Sequence, residues 1–244
     1  MYVRFYVSVV PQYLNAYIVS AIYNYPWQVG VALYLQEHDD LSDCCFTGAS
    51  AGSFVASLLA TDISIKQYMN TWVKDGYKIF NANPFGLYFI CHSVISLVGS
   101  KYMSPDDYKR ANNRLYVSIS KFKNYRLQNE LISEFTSNTD MYEALCASSQ
   151  IPYLNSPSFY YRFRNHKCLD GGFTWNWIKL HESTLVISPY RWNRFKNKVY
   201  AVNALIANTE ESFFVHILQG YLDAKKNDKD FLKHGLKHKM NSRL

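Results

Sequence analysis

No run in this sequence is long and apolar enough to cross a bilayer, which takes about 20 residues. The longest candidate, Leu87–Val98, is interrupted by His92 and Ser93 and reads as a core helix or an interfacial segment. Glycine and proline are sparse, 10 and 7 in 244 residues, and no Pro/Gly-rich linker, repeat or low-complexity tract divides the chain. The five cysteines (Cys44, Cys45, Cys91, Cys146, Cys168) form no Cys-x-x-Cys pair and stand at no metal-ligand spacing from the seven histidines. An odd count fits reduced thiols, an intracellular setting (cytoplasmic or peripheral to a membrane), and no bound metal. Met1–Tyr13 holds one basic residue, an early Pro11 and no small-residue cleavage pattern. It reads as a strand or extended arm, not a targeting signal.

What is abundant is apolar and aromatic. Hydrophobic residues make up 48% and charged residues 18%, which excludes disorder, and there are 21 Tyr and 15 Phe to fill a core. The net charge is +7. Much of it sits beyond Tyr221, where seven Lys/Arg face three acids. Such an end suits solvent or an anionic lipid surface. No nucleic-acid reading motif accompanies it, so no nucleic-acid partner is expected.

Strand-like and helix-like stretches alternate, which predicts a layered α/β fold. Tyr17–Ser20 is a short apolar run, Val29–Leu35 is helical in pattern, Cys44–Thr47 is a short strand, and Ala51–Ala60 is apolar nearly all round and predicts a buried helix. Ser104-Pro105-Asp106-Asp107 predicts a helix start. Arg114–Ser120 alternates as a strand, Asp140 is placed to cap a helix through Leu145, Thr184–Ser188 is a strand, and Phe213–Leu222 is an amphipathic helix. Residues 1–190 are expected to form one domain, with 191–244 as a charged extension packed on it or trailing from it.

Gly48-Ala49-Ser50-Ala51-Gly52 is a Gly-x-Ser-x-Gly pattern between that short strand and the buried helix. A nucleophilic serine needs such a turn: small neighbours let the backbone fold sharply, and the following helix aims its positive end at a developing oxyanion. The hydroxyl also needs a base. Either a histidine (His216, His234 or His238) oriented by an acid, or a carboxylate in direct contact, would serve. Asp170-Gly171-Gly172 offers the carboxylate at a strand end, where two glycines let the chain turn at once.

Together, Gly48–Gly52 and Asp170–Gly172 resemble the Ser–Asp dyad of the patatin-like phospholipase family, closest to its animal triglyceride-lipase branch. Ala147-Ser148-Ser149-Gln150-Ile151-Pro152 resembles the family's Ala-Ser-x-Ala-Ile-Pro segment. Asn176 keeps the family's spacing after the aspartate, and Val29–His38 and Thr184–Pro189 are similar to its first helix and to the strand after the dyad. The resemblance spans about residues 16–190. It implies a three-layer α/β/α fold with a mostly parallel sheet, and hydrolysis of phospholipid or acylglycerol esters without metal or organic cofactor; Leu87–Val98, the aromatic content and the basic end together point to a peripheral membrane or lipid-droplet surface. The resemblance also implies Ser50 as nucleophile and Asp170 as proton acceptor. The family's glycine-rich oxyanion loop corresponds to Ser20–Tyr25, which has no glycine. Ala51, Ala21 and Ile22 are the candidate oxyanion donors. A patatin-like protein of weak or no activity that binds lipid or a protein partner is the alternative this loop raises, and a triad-type serine hydrolase of a small ester is a third.

Overall fold

The computed structural model describes residues 2–5, 14–71, 75, 101–153, 156–174, 185–187 and 210–239. In chain order the elements are β1 (Tyr2–Phe5), α1 (Leu14–His38), β2 (Asp39–Asp40), β3 (Cys45–Ala49), α2 (Ala51–Ala60) and α3 (Ile65–Thr71). Then come α4 (Asp107–Ala111), β4 (Leu115–Lys123), β5 (Arg126–Ile132), α5 (Asn138–Ser148), β6 (Tyr161–Phe163) and β7 (His166–Asp170). A 3-10 turn (Gly171–Phe173), β8 (Leu185–Ile187), α6 (Glu210–Lys226), α7 (Asp228–Lys233) and β9 (Lys237–His238) complete the description.

The expected α/β architecture is present: a mixed sheet flanked by helices. Strands β8, β1, β3 and β4 run parallel. Phe46, Leu115, Val117, Ile119, Leu185 and Ile187 on these strands are buried, as in strands covered on both faces. Strand β5 lines the outer edge of β4 from Val117 to Lys123, antiparallel to it. A strand has two edges. The other edge of β4 is shared: β3 occupies it up to Ala49 opposite Ser118, and β7 takes over from Asp170 opposite Ile119. Strand β7 runs antiparallel to β4, so the last residues of β3 and β7 meet end to end.

Helix α2 packs on β1, β3 and β4, and α5 packs on β4, β6 and β7. Ala51–Ala60 is the expected helix to the residue, and nearly all of it is buried. Three expectations are corrected. Val29–Leu35 is helical as expected, but its helix, α1, begins at Leu14 and takes in the apolar run Tyr17–Ser20 and the stretch Ser20–Tyr25, for which the resemblance implies a loop. Pro26 lies inside it, so only the carbonyl of Ile22 loses its helical donor and the helix continues. The cap of α5 is Ser137, whose hydroxyl accepts from the Asp140 N–H at 3.1 Å; Asp140 itself holds Arg164. Near Ser104-Pro105 the helix begins only at Asp107, whose carboxylate accepts from both the N–H and the hydroxyl of Ser104. Leu87–Val98 lies outside the described residues.

Helix α6 crosses α1 at close range. A Cβ added to Gly220 would stand 1.9 Å from the Trp27 carbonyl oxygen, and one added to Gly30 would stand 1.9 Å from that of Ile217. Glycine at both positions is what allows the backbones to touch, and Trp27 Nε1 donates to Asp223 across the crossing at 2.9 Å. Beyond α6 and α7 the chain returns to α1: β9 pairs with β2, placing His238 opposite Asp39.

There His238 Nδ1 lies 3.0 Å from Asp39 and Nε2 lies 3.2 Å from Asp228. A neutral imidazole has one N–H, so two ionised carboxylates can both be satisfied only by the doubly protonated ring. Burial pushes the Asp39 carboxyl up to about 6 against the opposing pull of His238 and Lys239. A raised acid favours the folded state below its unfolded pKa, and that contribution is lost as pH rises through the folded one. Asp39→Asn should therefore gain stability relative to the parent as pH rises from about 4 to 7, by up to about 3 kcal/mol. Melting temperatures across that range check it; a difference that is flat in pH contradicts it.

Candidate functional site

Strand β3 carries Gly48 and Ala49 to the sheet edge, one residue pair further than the sequence predicts. Ser50 is the turn. Its φ of 53° lies in the left-handed region, which costs a non-glycine residue roughly 1 kcal/mol or more. Helix α2 starts immediately after it, so the N–H groups of Ala51 and Gly52 belong to the first turn, which a helix leaves without intrahelical partners. Gly48 is required by this fold-back: a Cβ there would stand 2.3 Å from the Gly52 carbonyl oxygen.

Strand β7 brings Asp170 to the same place from the opposite direction. Asp170 is 0% exposed, and its Oδ1 accepts the Gly172 N–H at 2.8 Å, bending the chain into the 3-10 turn. Gly171 must also lack a side chain, because a Cβ would lie 2.1 Å from the Ser118 carbonyl oxygen. Ala49 and Asp170 face successive residues of β4, Ser118 and Ile119, and Ser50 follows Ala49 directly. The two motifs are thus neighbours, although 120 residues separate them in the chain.

The end of α5 binds both. The Ser50 N–H donates to the hydroxyl of Ser148 at 2.9 Å and to its carbonyl at 3.1 Å. The Ser148 hydroxyl in turn donates to the Ser118 carbonyl at 2.7 Å. Two residues on, the Gln150 carbonyl accepts the Asp170 N–H at 2.8 Å. Beneath them Ser120 donates to the Asp170 carbonyl, and Asn129 bridges Ser118 and Thr174. Ser50, Ser118, Ser120, Ser148 and Asp170 are buried, while Asn129 and Thr174 at the margin of this polar network are half-buried.

The remaining candidates fall elsewhere. Ala21 and Ile22 are interior residues of α1, where each N–H faces a carbonyl four residues back, and this removes them as loop donors. Ala51 keeps its place at the start of α2. The ring of His234 meets the Asp230 carbonyl, and that of His238 meets Asp39 and Asp228. His216 is on α6, partly buried. Among the described residues the one group with metal-ligand geometry is Asp39, Asp228 and His238, whose ligand atoms lie within 4.8 Å of one another. Spacing could not reveal it, because β2 and β9 meet only in the fold. Cys44, Cys45, Cys146 and Cys168 are free thiols, and no described helix is long and apolar enough to cross a membrane.

The family model for patatin-like phospholipases matches residues 23–177. The chain is 31% identical over 150 residues to patatin-like phospholipase domain-containing protein 4 of Homo sapiens, covering 59% of this chain and 58% of that protein. It is 29% identical over 135 residues to omega-hydroxyceramide transacylase of Homo sapiens, covering 53% of this chain and 24% of that protein. It is 30% identical over 136 residues to the Mus musculus protein of the same name, covering 53% and 21%. The chain therefore spans somewhat more than half of the first relative's length and under a quarter of the other two.

Proposed function

Because the chain belongs to the patatin-like phospholipase family, we propose that it is a lipid acyl hydrolase whose Ser50 and Asp170 cleave the fatty acyl esters of phospholipids or acylglycerols. The observation that carries this reading is the end-to-end meeting of β3 and β7 on one edge of β4. It sets a strained, hydroxyl-bearing turn beside a fully buried carboxylate.

In this reading the Ser50 hydroxyl attacks the ester carbonyl while its proton passes to Asp170. The tetrahedral adduct collapses, the ester C–O bond breaks, and the protonated Asp170 returns the proton to the leaving alcohol. Water then attacks the acyl-serine, giving its proton to Asp170; the bond between the acyl carbon and Ser50 Oγ breaks, Asp170 returns that proton to Ser50, and the fatty acid leaves. A carboxylate is a weak base toward serine, so the rate depends on stabilising the oxyanion. The Ala51 N–H at the positive end of α2 is the donor this reading assigns to it. Two of the relatives are named transacylases; an acyl-serine attacked by an alcohol in place of water would give that class of reaction.

Incubating the protein with mixed micelles of long-chain phosphatidylcholine or triacylglycerol, with and without a fatty alcohol, tests both forms. Fatty acid release or wax-ester formation supports the acyl-serine; neither, from folded protein, overturns it. Ser148 is a positioning residue in this scheme. Ser148→Ala leaves its carbonyl to hold Ser50 but strips the Ser118 carbonyl of a donor, which costs about 1–2 kcal/mol of stability. It should also lower kcat roughly tenfold with KM little changed, as expected when only the reacting geometry is loosened. A KM change with kcat intact would contradict that role.

A further inference from the structure

Helix α6 has two apolar faces. One packs on α1 through Phe213, Ile217, Gly220, Tyr221 and Ala224. On the other, Phe214, Val215, Leu218 and Leu222 are 43%, 58%, 58% and 48% exposed. Their spacing of one, four and eight residues gathers them into one stripe. A helix that faced only water on this side would carry polar residues there. Lys225 and Lys226 close the stripe at its C-terminal end, and Lys229 follows on α7. All three lysines are exposed, with no carboxylate in ion-pair reach among the described residues. The acid sharing the face is Glu211, at the far end.

We propose that this face of α6 docks the protein on an anionic membrane surface. The helix lies in the plane of the headgroups, Phe214, Val215, Leu218 and Leu222 enter the acyl boundary, and Lys225, Lys226 and Lys229 meet lipid phosphates and carboxylates. That is the form of an interfacial amphipathic helix: an apolar stripe giving depth, with cations giving preference for negative lipid. Charge selects a membrane over a second copy of the chain. Among the described side chains, face-to-face pairing would leave Glu211 as the one acid of this face to meet the lysines of a partner that also carries a net charge of +7. The proposal rests on the reading of the site as one that acts on lipid, since it supplies the surface on which such a substrate is met.

The test uses the whole chain, with vesicles of phosphatidylcholine alone or with about one third phosphatidylserine. The parent should sediment with the anionic vesicles, and more weakly at high salt. Leu218→Asp with Leu222→Asp should reduce binding at least tenfold on both compositions. Lys225→Glu with Lys226→Glu should reduce it only on the anionic one. Both variants should keep the parent's melting temperature and its turnover of a soluble short-chain ester. No vesicle binding by the parent, or binding unchanged in the variants, overturns the proposal while leaving the hydrolase reading intact. A parent dimer that the Leu218/Leu222 variant dissociates overturns it too, assigning the face to self-association. Vesicle binding that responds as described, with no hydrolysis of any ester by the parent, sinks the hydrolase reading alone.

Discussion

Replacing Ser50 by Ala should abolish fatty acid release, and replacing Asp170 by Asn should come close to doing so, each by roughly 10³–10⁶ in kcat. The second substitution is the more informative. Asn at 170 still offers an oxygen to the Gly172 N–H, the contact that shapes the turn after β7. It cannot take a proton from serine. A folded Asp170→Asn protein with an unchanged melting temperature and almost no turnover would separate chemistry from architecture. Replacing His216, His234 or His238 by Ala should leave turnover within a few-fold, because two of these rings are already held at Asp230 and at the Asp39/Asp228 pair. A loss at one of them as large as that of Ser50→Ala would restore the triad.

The second large effect is on stability. Gly48→Ala and Gly171→Ala each force a methyl group to within 2.3 Å and 2.1 Å of a backbone carbonyl oxygen. Those oxygens belong to α2 and β4 and cannot swing aside as a side-chain tip can. The cost should be about 3 kcal/mol or more, which lowers the melting temperature by roughly 6–12 °C in a chain of this size. Gly235 is the internal comparison. Its φ is 90°, yet nothing lies within 4 Å of an added Cβ, so Gly235→Ala should cost only the conformational strain, about 1–2 kcal/mol. If Gly48→Ala proved as mild as Gly235→Ala, the close approach of β3 to α2 would be wrong.

These glycines also show which parts of the site could be read from sequence. Gly48–Gly52 and the helix after it were legible because their determinants are local: small residues at a turn, then an apolar segment with no polar face. Asp170-Gly171-Gly172 was legible as a turn bearing an acid. That β3 and β7 share one edge of β4 was not, since strand register is decided by pairing across the sheet and leaves no mark in either segment alone. The Ser148 hydroxyl was hidden for the same reason; its segment stands out only by resemblance, and its contact to the Ser50 N–H depends on how α5 ends above the sheet. Helix α1 leaves no clear mark in the sequence at Ser20–Tyr25. It packs against α2, α3 and α6, so apolar residues occur around it without a clear stripe, and Pro26 adds a break signal that the packing overrides.

The measurement that bears most directly on the Ser50–Asp170 pair is the site at which a long-chain fluorophosphonate reacts, read by intact mass and peptide mapping. One adduct per chain, on Ser50, is expected, with none in Ser50→Ala and greatly slowed labelling in Asp170→Asn. Folded protein that takes no label at Ser50, or Ser50→Ala protein that still turns over ester, would contradict a nucleophile at this junction.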